Sequence, residues 1–364
     1  MNFYNSTHKH YCGIDLHARS LYVCIISQQG ETLLHKEIPA KPDALIELIT
    51  PYLDDLVLGV ECMHCWYWIA DFCDDHDIEF ILGHALYMKA IHGGKTKNDR
   101  VDSFKIAALM RGGNFPLAYV YPRSMRATRD LLRRRTNLVR HGADMKAHVA
   151  NTTSQYNLPP NKVNLKNVCA REQLNTTFHD PVVQRNINLD IAVLECYHRE
   201  LSQVEWFLEK QAKKHQPTYF YLLKTIPGIG RILELTILYE IGDIQRFESV
   251  QKFASYARLI KCKAESAGKT YGTQGNKIGN AHLKWAFSEA AVLYLRGNTG
   301  AQQLLQRFQK RMSKAKALSA LAHKLGRAVY FMLKNEKIFD ELRISVIPNS
   351  DSGVIRSPVS RSFS

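Results

Sequence analysis

Residues 11–38 read YCGIDLHARSLYVCIISQQGETLLHKEI, and this stretch decides how the N-terminal part of the chain folds. Three short apolar runs, YCGIDL, LYVCIIS and ETLLHKEI, are separated by HARS and by QQG, whose glycine suits a turn. They predict a three-stranded meander. Moving outward, PDALIELITPYL has helical spacing, LVLGVE reads as a buried strand, WYWIADFCDDH as a helix and EFILG as another short strand. A meander followed by alternating helix and strand is an α/β pattern. After a lysine-rich stretch, IHGGKTK, the segment DRVDSFKIAALMR (residues 99–111) has helix-like recurrence, and Gly112 and Gly113 end it.

Four carboxylates fall at telling places in this pattern. Asp15 ends the first strand, Glu61 ends LVLGVE, and Asp99 and Asp102, three apart, share one face of the closing helix. In a ribonuclease-H-like arrangement, neighbouring strands bring Asp15 and Glu61 together and the helix sets Asp99 and Asp102 opposite them. Carboxylates crowded in this way need cations, and hard divalent ions take oxygen ligands. Two such ions about 3.5 to 4 Å apart can activate the attacking oxygen and stabilise the leaving one in phosphodiester cleavage. Each acid alone is more often a structural surface group, but Asp15 is hard to dismiss, because a carboxylate inside an apolar strand is costly unless paired or liganded. The nearby Cys62, His64, Cys65, Cys73 and His76 invite a zinc reading. Their second half is poorly formed, because Cys73 and His76 lie on a helix whose Trp66, Trp68, Ile69 and Phe72 look like core, so packing is the better account.

Beyond residue 122 the composition turns basic. In MRATRDLLRRRTNLVRHGADMKAH, Arg126, Arg129, Arg133, Arg134, Arg135 and Arg140 alternate with Leu131, Leu132, Leu138 and Val139. This predicts an amphipathic helix with one face for packing and one for phosphates, arginine forks suiting phosphate better than solubility requires. Residues 151–166 are polar, contain Pro159 and Pro160, and are expected to form a loop. A second long helix follows, where Leu194, Tyr197, Leu201, Val204 and Leu208 recur as in a coiled-coil seam. An intramolecular helical hairpin and self-association explain that seam equally well.

Two further features belong to the C-terminal part. IPGIG, residues 226–230, lies between two apolar helices as in a helix-hairpin-helix, and its Gly228 and Gly230 would let a backbone approach phosphate. Ser266 stands in KCKAESAGKTYGTQGNKIGN among Lys261, Lys263 and Lys269, a basic, glycine-rich setting in which a hydroxyl could attack phosphorus. Spacing alone names no base for it.

The 364 residues include 49 Lys and Arg against 34 Asp and Glu, a net charge of +15, so the default partner is a polyanion such as nucleic acid. A hydrophobic fraction of 45% supports a folded core and argues against wholesale disorder. There is no long apolar run and no leader-like start, and the eight cysteines are scattered rather than framed for disulfides. A cytoplasmic protein with free thiols and no membrane partner is expected.

Taken in order, YCGIDLHARSLYVCI, VE, NDRVDSFKIAAL, IPGIG, YEIGDIQRFESVQKFASYARL and ESAGK resemble the insertion-sequence-110 transposases, relatives of the Piv-type invertases, over nearly the whole chain. That resemblance implies a RuvC-like nuclease domain whose DEDD tetrad maps onto Asp15, Glu61, Asp99 and Asp102. It implies a C-terminal transposase domain with a nucleophilic serine at Ser266, and magnesium, with two ions per site. It also implies a homo-oligomer, dimer or tetramer, in which different protomers share a composite site, and a structured guide RNA that pairs with donor and target DNA. The chain departs from the family pattern in CMHCWYW after Glu61, in Arg258 where glycine is common, in HLKW near residue 284, and in SAG for Ser-Gly.

The expected organisation is α/β plus α. Residues 1–118 form a ribonuclease-H-like domain, 119–218 a helical basic and coiled-coil region, 219–345 a mostly helical transposase domain, and 346–364 a disordered tail. The expected function is RNA-guided DNA transposition. A metal-dependent Holliday-junction-type endonuclease or invertase is the alternative, and a non-catalytic nucleic-acid-binding protein is the alternative of another class.

Overall fold

The computed structural model describes residues 2–91, 98–158, 177–260, 262–266, 269–274 and 278–340. The chain divides into two compact units, Met1–Arg123 and Ser124–Ser364. Among the described residues no helix is long and apolar enough to cross a membrane.

The first unit is built on a five-stranded mixed sheet. Its strands are β2 (His10–Leu16), β3 (Ser20–Ser27), β4 (Thr32–Pro39), β5 (Leu56–Glu61) and β6 (Glu79–Gly83), in the order β4-β3-β2-β5-β6. The meander β2-β3-β4 is antiparallel, whereas β5 and β6 run parallel to β2. This order fits the ribonuclease-H-like expectation. A short antiparallel pair, β1 (Phe3–Tyr4) with β7 (Phe115–Pro116), joins the two ends of the unit.

Period-2 alternation divides the side chains of the sheet between two cores. Cys12, Ile14, Leu16, Leu58 and Val60 bury against α1 (Pro42–Ile49) and α2 (Tyr67–Asp75). Tyr11, Cys24, Ile26 and Val57 bury against Ile106, Ala107, Leu109 and Met110 of α4 (Asp99–Arg111), which follows α3 (Ala85–Ile91). Each such apolar side chain contributes roughly 1.5–3 kcal/mol when removed from water, so the stripe on α4 fixes which face it turns to the sheet. Helix α1 is shorter than PDALIELITPYL suggests. It ends at Ile49 and tightens into a 3-10 turn over Thr50–Asp55, because Pro51 has no N–H for the helix ladder.

Among its described residues the second unit is helical apart from one hairpin. Helices α5 (Arg123–Gln155) and α6 (Pro181–His215) lie antiparallel, with Gly142 against Leu194 and Tyr197, Arg135 on Glu205, and His148 on Asp190. The seam on α6 therefore packs on α5 of the same chain, which favours the intramolecular hairpin over self-association through those residues. Helix α5 also corrects the loop expected from residue 151. It continues to Gln155, because Val149, Thr152 and Thr153 are buried, Val149 packing with Phe178 and with Val183 and Ile187 of α6. Residues 159–166 of that loop lie outside the described residues, as do residues 167–176, the lysine-rich residues 92–97 and the tail 341–364.

Helices α7 (Pro217–Lys224), α8 (Arg231–Ile241), α9 (Val250–Tyr256), α10 (Ala281–Tyr294), α11 (Thr299–Gln309) and α12 (Lys314–Lys334) share one apolar core around Tyr239, Phe253 and Phe287. Between α9 and α10 stands an antiparallel hairpin, β8 (Cys262–Ser266) and β9 (Lys269–Gln274). Strand pairing thus runs through the basic, glycine-rich stretch that contains Ser266.

Candidate active site

The alternation that builds the two cores also places the acids. On β2, Tyr11, Gly13 and Asp15 face α4, and on β5 Val57, Gly59 and Glu61 do the same. The parallel register pairs Ile14 with Val60, so Asp15 and Glu61 come next on adjacent strands at the same edge of the sheet. Helix α4 can lie this close because residue 13 is glycine. A Cβ there would stand 2.3 Å from the Ser103 carbonyl oxygen and 2.4 Å from the Ala107 nitrogen. The first turn of α4 is fixed by Asn98, whose side chain accepts from the Arg100 amide at 3.0 Å. His35 on β4 ties down the same turn through the Arg100 carbonyl at 2.9 Å and the Ser103 hydroxyl at 3.1 Å.

This geometry brings Asp15 and Asp99 together around His17. Ligand atoms of the three lie within 4.8 Å of one another, and they are the only such metal-capable group among the described residues. His17 Nε2 is 3.4 Å from a carboxylate oxygen of each acid, and this buried nitrogen makes no hydrogen bond. Burial raises the Asp15 pKa above the usual carboxylate range, and the charges of Asp99 and Asp102 raise it further against the opposing influence of His17. Two acids pressing on one partly buried carboxylate, beside an imidazole nitrogen with no hydrogen bond, make a donor set suited to a divalent cation. Asp102 is near enough to act on Asp15, but it is also paired with Lys105 Nζ at 2.9 Å. Glu61 is partly buried at the end of β5 and lies outside the three-residue group.

His17 and Lys105 are the residues that reading the sequence for carboxylates misses. The signal for His17 was its position two residues after Asp15, one pleat further along the same face. The cysteines do not assemble: Cys73 is buried, Cys62 is exposed, and Cys65 Sγ contacts the Leu16 carbonyl at 3.8 Å. Packing accounts for Cys73, as the sequence suggests.

The arginines of α5 divide into two kinds. Arg126 is buried, Arg129 and Arg133 hold Glu240 of α8, and Arg135 holds Glu205 of α6. Arg134 and Arg140 are exposed. Burial by itself would raise the Glu240 carboxyl, but the hydrogen bond from Arg133, the charges of Arg129 and Arg133 and a bond from Asn280 outweigh it and hold the pKa at about 2. Much of the charge read as a phosphate-facing surface is thus compensated inside the unit.

The IPGIG turn joins α7 to α8. Gly228 has φ +80°, and a Cβ there would meet the Tyr294 nitrogen at 2.5 Å, so this glycine serves a close approach to the end of α10. Gly230 precedes α8 and would meet nothing within 4 Å. Ser266 ends β8, with its backbone in register opposite Lys269. The side chains of Lys263, Ser266 and Lys269, and Lys261 altogether, lie outside the described residues.

Comparison with known proteins adds a family. A family model described as transposases of the IS116/IS110/IS902 family matches residues 221–306, and a second transposase model, of the DEDD type, matches residues 12–157. The protein y4qE of Sinorhizobium fredii, which carries a transposase name, is 24% identical over 247 residues, covering 66% of this chain and 59% of its own length. The uncharacterized protein of insertion element IS116 from Streptomyces clavuligerus is 22% identical over 119 residues, 32% of this chain and 30% of its own length. The two matched segments contain, respectively, Ser266 with Glu240 and all four acids.

Proposed function

Because the chain belongs to the IS116/IS110/IS902 family of transposases, we propose that it cuts and rejoins DNA, using the acidic centre of its first unit and Ser266 of its second. The observation that carries this reading is the convergence of Asp15, His17 and Asp99 within 4.8 Å at the sheet edge where Glu61 also ends. Asp15, Glu61, Asp99 and Asp102 would hold magnesium, with His17 beside them. Bound there, divalent ions supply charge neutralisation of the scissile phosphodiester.

Ser266 Oγ attacks phosphorus, the P–O bond to the departing strand breaks, and the serine proton is passed on so that the departing oxygen leaves as a hydroxyl. The phosphoserine diester conserves the bond energy, so attack by a second DNA hydroxyl rejoins the strands and returns the proton to Ser266. The net charge of +15 supports polyanion partners. We include among them a structured guide RNA, which would leave the protein to read backbone and shape. The working form is a homo-oligomer, dimer or tetramer, in the cytoplasm.

The acidic group forms within one unit by itself, and this favours a second reading, a metal-dependent junction nuclease in which the serine is inert. One experiment separates the two. The protein is incubated with magnesium, element ends and co-expressed flanking RNA, and DNA attached to protein is sought on a denaturing gel. An adduct that disappears in Ser266→Ala supports strand transfer through serine. Cut DNA without an adduct supports hydrolysis, and an adduct that persists in Ser266→Ala overturns the serine assignment.

A further inference from the structure

Glu240 of α8 is only 1% exposed, and its carboxylate is held from two sides, by α5 and by Asn280. Arg133 of α5 grips it side-on, Nε to Oε1 at 2.7 Å and Nη2 to Oε2 at 2.9 Å. Arg129, one turn earlier, donates Nε and Nη2 to Oε2 at 3.2 and 3.0 Å. From the other side Asn280 Nδ2 donates to Oε2 at 2.7 Å and to the Tyr256 hydroxyl at 3.3 Å.

Asn280 lies six residues beyond the end of β9, at the start of α10. Its Oδ1 accepts from the amides of His282 and Leu283 at 2.9 and 3.0 Å, capping α10. Its own amide donates to the Tyr256 carbonyl at 2.6 Å, and Arg258 Nε donates to the Ile278 carbonyl at 3.0 Å. The chain segments that flank the β8–β9 hairpin, residues 256–258 before it and 278–280 after it, are therefore tied to each other, and the tie rests on Glu240. Burying one carboxylate with two guanidiniums costs desolvation that an apolar cluster of similar volume avoids, so stability alone does not account for this arrangement. The cluster also opens outward: the Arg133 side chain is 36% exposed, and the charges of Arg129, Arg133 and Arg140 all act on the adjoining His282.

We propose that Glu240 is a positioning residue for strand transfer, locking the segments that flank the β8–β9 hairpin, and with them the backbone of Ser266, to the arginines of α5. The proposal rests on the reading of Ser266 as nucleophile for its catalytic consequence, and on the geometry alone for its mechanical one.

Three variants test it in the full-length protein. Glu240→Gln removes the charge. Asn280→Ser keeps a helix-capping oxygen but removes the donor to Glu240, so it cuts the link should Glu240→Gln fail to fold. The double variant Glu240→Gln with Asn280→Asp returns a carboxylate to the other side of the same contact. Two readouts are taken: amide hydrogen exchange over residues 262–266 and 269–274 without DNA, and the rate constant of adduct formation at saturating DNA. In Glu240→Gln and in Asn280→Ser, hairpin exchange is expected to accelerate about tenfold or more. Adduct formation is expected to slow by a similar factor, while the DNA dissociation constant shifts by less than about threefold. The double variant recovers most of both.

Unchanged hairpin exchange in folded Glu240→Gln and Asn280→Ser overturns the proposal. So does a rate loss that the double variant leaves in place after exchange has recovered. If the wild-type protein forms no adduct, the serine reading fails on its own, and hairpin exchange alone decides whether Glu240 holds this segment.

Discussion

Arg135 closes on Glu205 with two nitrogens on one carboxylate oxygen, Nε at 2.9 Å and Nη2 at 2.6 Å, and both side chains are only 15% exposed. A guanidinium engaged in this way joins α5 to α6 and has little left to offer a phosphate, unlike the exposed Arg134 beside it. Arg135→Ala is expected to cost on the order of 2 kcal/mol of stability, leaving Glu205 with Arg231. It should leave the salt dependence of DNA binding unchanged. Arg134→Ala or Arg140→Ala should reduce the slope of log K against log salt by about one and leave stability alone. Salt titrations of DNA affinity, with a melting curve for each variant, check both halves.

At the acidic centre the metal-free protein holds a strained arrangement, since Asp15 is partly buried and faces the charges of Asp99 and Asp102. Magnesium or manganese at about a hundred times its dissociation constant should stabilise the wild type by about 2.7 kcal/mol, read as a rise in melting temperature. Asp15→Asn removes a ligand and a repelled charge together. That variant should melt higher than the wild type without metal, gain little from added metal, and lose DNA cleavage by about a hundredfold or more. A metal-induced rise of full size in Asp15→Asn would remove Asp15 from the site.

Much of the first unit was legible because period-2 alternation is a local property, and β2, β3 and β4 follow directly from YCGIDL, LYVCIIS and ETLLHKEI. The same alternation put Asp15 and Glu61 on one face. What the sequence could not express was the close approach of α4 at Gly13, which depends on Ser103 and Ala107, about ninety residues away. The arginines of α5 show the same limit. Their spacing announces an amphipathic helix, yet the partners that neutralise Arg129, Arg133 and Arg135 lie on α6 and α8, and a helical period holds no information about them. Likewise the extension of α5 to Gln155 depends on Val149, Thr152 and Thr153 being buried, a tertiary effect that overrides their local preference.

The two glycines of IPGIG should behave oppositely. Gly228 has φ +80° and no room for a Cβ beside the Tyr294 backbone, so Gly228→Ala combines backbone strain with a clash and should cost about 3 kcal/mol or more. Gly230 has φ −84° and open space, so Gly230→Ala should change stability by less than about 1 kcal/mol. Denaturant unfolding of the two variants distinguishes them. If Gly230→Ala keeps its fold but weakens DNA binding, the open space before α8 is a phosphate contact; if binding is unchanged, the turn serves packing alone.

Glu234, at the start of α8, gives the second unit a pH dependence of its own. It is 1% exposed, its Oε1 has no hydrogen-bond partner, and burial pushes its pKa up to about 7 from 4.5. A carboxyl whose pKa rises on folding favours the folded state while it is neutral. Its contribution is complete below about pH 4.5 and is lost as pH rises through about 7. Glu240 behaves in the opposite sense: held at about 2, it stabilises above the ordinary carboxylate range and releases that stability only in stronger acid. In Glu234→Gln the loss between pH 5 and 8 should therefore disappear, leaving the variant on the order of 2 kcal/mol more stable than the wild type at pH 8 and nearly equal to it at pH 4.5. Paired melting curves across that range decide the matter, because the histidines titrate alike in both proteins and cancel in the difference. A difference that stays flat with pH would mean that Glu234 is ionised in the fold and that some partner compensates it.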